Sequence, residues 1–206
     1  MYPMTPDPDS IFAPSAGVEL SVAFPRALKL FTRAIPPLAG WALVLAGLNW
    51  LITVVTGGLA TLLVVMMLVP TQLGLYRVAW SVARGEVVTL GSAAWGLTRG
   101  QSYLVGLIWL VSIIGGLLCL GVGVFVPLAF FPYVLAAMAR DDLEAGEAMR
   151  AGWGFFRSNF GSSVLVLILT LILESLGQAT WALNAVLLPL AVCFHVACYE
   201  MGRTRD

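Results

Sequence analysis

Between Arg33 and Arg77 the chain reads AIPPLAGWALVLAGLNWLITVVTGGLATLLVVMMLVPTQLGLY (residues 34–76), 43 residues without an Asp, Glu, Lys or Arg. A helix rises ~1.5 Å per residue, so a single helix of this length would run to ~65 Å. That is about twice the ~30 Å hydrocarbon core of a bilayer. The block must therefore fold back on itself, and Gly57-Gly58 near its middle supplies the backbone freedom for the turn. Two further blocks behave alike. Residues 100–139 carry no charge, and residues 158–202 carry only Glu174 and Glu200. Their turns fall at Gly115-Gly116, with Gly121 and Gly123, and at Gly177-Gln178. The pattern predicts spans near 36–56, 59–81, 102–118, 120–139, 160–176 and 181–201. The expected fold class is an all-α membrane protein of six transmembrane helices as three repeated hairpins, each preceded by an interfacial amphipathic helix.

Composition agrees. Of 206 residues, 60% are hydrophobic and 11% charged, against about 25% charged in a soluble domain. So few charges cannot cover a water-facing surface. Eleven Lys and Arg balance eleven Asp and Glu, which leaves no basic excess for nucleic acid. Cys119, Cys193 and Cys198 lie in apolar runs and read as small buried hydrophobes, with no disulfide framework. The Pro-rich residues 1–16 place Asp7 and Asp9 ahead of the first cation, Arg26. They lack the basic start of a signal peptide and are expected to form a disordered tail. Residues 17–206 are expected to form one transmembrane domain.

The cations set an orientation. All eleven fall before span 1 (Arg26, Lys29, Arg33), between spans 2 and 3 (Arg77, Arg84, Arg99), between spans 4 and 5 (Arg140, Arg150, Arg157) or after span 6 (Arg203, Arg205). The opposite turns have none. The positive-inside rule then predicts both termini in the cytoplasm.

The blocks also resemble one another residue by residue. A shift of 58 superposes Glu86 on Glu144, Ala93 on Ala151, Trp95 on Trp153, Gly96 on Gly154 and Arg99 on Arg157. A shift of 66 brings Ala27 and Arg33 onto Ala93 and Arg99. Each second half aligns on a proline (Pro70, Pro127, Pro189), followed six residues later by Tyr76, Tyr133 and His195. The repeat units are about 17–84, 85–140 and 141–203. Helical periodicity predicts apolar faces at Phe24, Leu28 and Phe31, with Pro25 in the first helical turn, and at Met149, Gly152, Trp153 and Phe156. Such helices lie in the headgroup plane, where Trp95, Trp153, Arg33, Arg99 and Arg157 are candidate contacts for lipid or a partner.

The A-x-W-G-x-x-R stretches at Ala93–Arg99 and Ala151–Arg157, each just before an apolar span, resemble bacterial membrane proteins of the YciC-like type. They also resemble the membrane domain attached to some glycerophosphodiester phosphodiesterases. The resemblance covers roughly residues 17–203 and implies a multi-pass protein of the bacterial inner membrane. No phosphodiesterase catalytic domain accompanies it here, so no activity carries over.

Polar groups inside spans are the candidate sites, because burying them is costly. Glu174, one turn from Gln178, reads either as a proton or cation site or as a residue near the far interface. Tyr76, Tyr133 and His195 share one repeat position. They either converge about a pseudo-threefold axis or tip toward the cytoplasmic headgroups. Of Cys193, His195 and Cys198 only His195 and Cys198 share a helix face, and zinc needs three or four converging ligands, so a metal is not expected. Asp141, Asp142, Glu144 and Glu147 are expected to cap the third amphipathic helix. Pro70, Pro127, Pro132 and Pro189 are expected to kink their spans. Asn49, Thr53, Gln72, Ser112, Thr170 and Asn184 are expected to bond between helices.

No phosphate loop, zinc motif or nucleophile–base pair is present, so no enzymatic activity and no cofactor is expected. The first functional expectation is a non-catalytic scaffold, accessory subunit or assembly factor of a membrane complex, with lipids and a membrane-protein partner or a second copy as its contacts. The alternative is a transporter or channel for a lipid-like or small substrate.

Overall fold

The computed structural model describes residues 18–56, 61–119, 121–177 and 181–203. The Gly57-Gly58 turn, Gln178, residues 1–16, and the side chains of Asn49 and Thr53 lie outside what it describes. The described residues form eight α-helices and no strand: α1 Leu20–Thr56, α2 Thr61–Ala83, α3 Leu90–Thr98, α4 Gly100–Leu118, α5 Phe125–Asp141, α6 Ala145–Ser158, α7 Phe160–Gly177 and α8 Trp181–Arg203. Among them, Gly100–Leu118, Phe160–Gly177 and Leu183–Arg203 are long and apolar enough to cross a membrane.

The first helix departs from expectation. An interfacial helix followed by a span is predicted, but α1 runs unbroken through Pro25, Pro36 and Pro37. Its buried residues explain this. Ala23, Ala27, Leu30, Ala34, Leu38 and Ala42 recur at helical spacing and form one continuous inward stripe. Pro36 is exposed, so its missing N–H falls on the outer side of the helix. Pro25 lies inside the helix, not in its first turn. The expected apolar face is also turned outward, since Phe24 and Leu28 are about half exposed. Small residues occupy the buried face because they let two helix backbones approach closely.

The other two short helices are separate elements. Thr89 and Ser92 form a reciprocal capping box at the start of α3. Arg99 then adopts an extended conformation, φ −97° and ψ 116°, which breaks α3 from α4. At the second break Asn159 Nδ2 donates to the Phe155 carbonyl at 3.1 Å. The buried face of α6 is Ala145, Ala148, Gly152, Phe155 and Phe156, while Trp153 is exposed. Close approach again selects the face. A Cβ on Gly152 would collide with the backbone of Val134, and one on Gly96 with the Pro70 carbonyl.

In the second block the first span ends at Leu118 as expected, and the next helix starts at Phe125, later than the expected 120. Gly115 and Gly116 lie inside the last turn of α4, which ends at Leu118, and the turn follows at Gly121 with a 3₁₀ segment at Val122–Val124. Pro127 therefore stands in the first turn of α5, where it needs no kink, whereas Pro132 is interior.

Helices α2, α5 and α8 pack against one another at the centre. Around them, α1 lies against α8 and α2, α4 against α2 and α5, and α7 against α8 and α5. The short helices follow the same sense, with α3 on α2 and α6 on α5. Residues 133–139 and 191–199 are buried throughout. The outward faces of α4 and α7 are apolar, carrying Leu104, Leu107, Val111 and Ile114, and Leu165, Ile168, Ile172 and Leu176.

Candidate functional site

The central helices bring the shared repeat position together. Tyr76 of α2, Tyr133 of α5 and His195 of α8 are all buried, with 5% exposure or less. The Tyr76 hydroxyl lies 2.8 Å from His195 Nδ1, and the two rings are stacked. Thr170 Oγ1 of α7 lies 3.0 Å from His195 Nε2. Tyr133 packs edge-on against the imidazole, ring centroids 6.2 Å apart. A neutral imidazole offers one N–H donor and one acceptor. Either tautomer is satisfied here, because each hydroxyl can donate or accept. The three side chains converge between the central helices, and Tyr76 and His195 also face a cavity.

Above this cluster is a cavity of about 230 Å³ between α2, α4, α5, α7 and α8. Its polar lining is Gln72, Tyr76, Thr170, Glu174 and His195. Gln72 precedes Tyr76 by one helical turn and Glu174 follows Thr170 by one turn. Because α2 and α7 run in opposite senses, both lie a turn beyond the His195 layer, away from the C-terminal ends of α2 and α8. The remaining wall is apolar and aromatic, with Trp109, Phe131, Leu135 and Ala191 among it. Glu174 is thus a cavity residue at partial burial. No salt bridge among the described residues reaches it.

The other expected bonding residues divide. Thr170 bonds between helices as expected, Asn184 packs on Gly177, and Ser112 turns back onto its own helix, bonding the Ile108 carbonyl at 2.7 Å.

A second polar layer closes the C-terminal ends of the central helices. Arg77 Nη1 donates to the Ala139 carbonyl at 2.7 Å and Arg84 Nη2 to the Arg140 carbonyl at 2.8 Å. Both satisfy the last carbonyls of α5, where a helix end is partly negative. Trp80 Nε1 donates to the Ala136 carbonyl at 3.1 Å. Arg140 pairs with Glu200 of α8 at 2.9 Å, and Arg203 with Asp141 at 2.6 Å. The acidic cluster therefore does not cap α6 as expected. Asp141 and Asp142 pair with arginines, Asp142 with Arg99, while Glu144 holds the N-cap position without a side-chain cap bond. Only Glu147 stands in the first turn.

The interfacial candidates separate in the same way. Trp95 lies under both Arg77 and Arg99, 5.0 and 4.7 Å from guanidinium to ring centroid. Its repeat mate Trp153 packs edge-on against Phe130, 5.5 Å between centroids. Arg33 and Arg157 are exposed. Trp80, Trp109, Arg140 and Glu200 were not marked as site residues by sequence. The only signal for Arg140 was its place in the repeat, and Trp109 had none.

Comparison with family models, curated proteins and solved structures finds no match. The site is accordingly read from its own geometry, and the YciC-like resemblance rests on the two A-x-W-G-x-x-R stretches.

Proposed function

We propose that the chain is an integral membrane protein of six spans, with both termini on the cytoplasmic side, and that it moves a small substrate by way of the cavity beneath Glu174. One observation carries this reading. Five polar side chains from α2, α7 and α8 line a cavity inside an otherwise apolar helical bundle. Polar groups at membrane depth are costly and concentrate along substrate paths. The parallel between the three hairpins and the cyclic packing of α1, α4 and α7 supports a threefold repeat about the central helices, with the cavity built at its heart. Prolines inside α2, α5 and α8 provide places where those helices can bend during transport.

The second reading is an accessory subunit or assembly factor. It is supported by the apolar ridges on α4 and α7, which suit lipid or a neighbouring membrane protein equally well.

Native mass spectrometry of the chain, extracted gently from its own membrane, separates the two. Transport predicts a chain or homo-oligomer carrying one small molecule, and loss of that molecule in Ala191→Phe, which fills the cavity. Uptake of the identified molecule into reconstituted vesicles then follows with the native chain and fails with the variant. A stoichiometric protein partner, with the same mass in both variants, overturns transport in favour of the subunit.

A further inference from the structure

We propose that the cavity selects a small monovalent organic cation with an apolar body, its charged group held at Glu174. This rests on the reading of the cavity as a substrate site. The lining holds one carboxylate and no Lys or Arg, and the carboxylate meets no cation among the described residues. Arg77, Arg84, Arg140 and Arg203 are committed elsewhere, in the layer at the helix ends. An anionic ligand would therefore meet an uncompensated like charge in a poorly solvated site, whereas a cation removes the isolation of Glu174. Trp109, Phe131 and Tyr76 are among the wall residues, and aromatic rings attract cations.

Size and polarity narrow the class further. A dry cavity of ~150 Å³ is enough for benzene, so about 230 Å³ accepts a single ring or a short branched chain bearing one amine. The polar groups form two layers a helical turn apart. Gln72 and Glu174 make the charged layer, and the Tyr76–His195–Thr170 hydroxyl–imidazole chain makes the neutral one. His195 has both nitrogens engaged, so the ligand's charge belongs with Glu174, and any second polar group of the ligand meets the Tyr76 or Thr170 hydroxyl.

The test uses three probes of one shape: benzylamine, benzyl alcohol and benzoate. Each is titrated calorimetrically into the full chain in lipid nanodiscs, with empty nanodiscs subtracted. Benzylamine binds, benzoate does not, and Glu174→Gln weakens benzylamine at least tenfold while leaving benzyl alcohol unchanged. Equal binding of benzoate and benzylamine, or benzylamine binding untouched by Glu174→Gln, overturns the cation preference and leaves the cavity reading standing. No binding of any probe to the native chain, when its thermal unfolding shows it folded, overturns both.

Discussion

His195 is the residue on which the centre of the molecule depends. Its two ring nitrogens meet hydroxyls from two other helices, and all three groups are buried. Removing one member strands a polar group, at a cost of about 1–3 kcal/mol per group. His195→Phe strands two hydroxyls, whereas Thr170→Val and Tyr76→Phe each strand one nitrogen. Thermal unfolding in one detergent should therefore rank His195→Phe below both single hydroxyl variants. Equal melting of all three would mean that the imidazole is not bonded on both sides. Tyr76, Tyr133 and His195 were legible as a set because they share one offset from the repeat proline. Thr170 was legible as an interhelical donor, but its partner was not, since nothing local says which neighbouring helix a hydroxyl meets. Trp109 was not legible, because it is one aromatic in a wholly apolar run.

At the scale of the element, helix existence and ends were largely readable and helix faces were not. Charge-free runs and glycines mark where helices begin and end, but hydrophobicity no longer separates inside from outside when the surroundings are apolar too. Phe24 and Leu28 of α1 consequently face out, while Ala23, Ala27 and Ala34 face in alongside Leu30. Gly152 and Gly154 give a controlled comparison. A Cβ at Gly152 meets the Val134 backbone, whereas one at Gly154 meets nothing within 4 Å. Gly152→Ala should destabilise the fold by about 1–3 kcal/mol, the usual cost of overpacking, and Gly154→Ala should be neutral or slightly stabilising. Chemical unfolding of the two variants in mixed micelles checks this. Equal midpoints would show that α6 does not press on α5. The break at Arg99 was readable as the charge that separates the short helix from the span at 102–118, although the extended backbone that makes it was not.

The whole molecule is closed by contacts between its two ends. Ser162 at the start of α7 donates to the Val18 carbonyl ahead of α1, at 3.0 Å, and Phe24 meets Phe194 edge-on, 6.3 Å between centroids. Cysteines at Val18→Cys and Ser162→Cys, in a Cys119→Ser background, should be joined by a short bis-maleimide within one chain. The readout is a shifted band on denaturing gels after cleavage at an engineered site between them. Joining only between chains would replace the closed bundle with an exchanged dimer. Closure of this kind was not readable from the sequence, because the repeat offsets relate neighbours in order and leave the last unit's contact with the first unstated.

The packing of α1 on α8 bears on how the protein is made. The two helices are separated by about 125 residues, which a ribosome takes roughly 6–25 s to add. For that interval the alanine stripe of α1 has emerged without the surface it is shaped to meet. A chain stopped before α8 would leave that stripe without its main partner. The inward stripe of α1 is therefore completed only when the last helix of the bundle arrives.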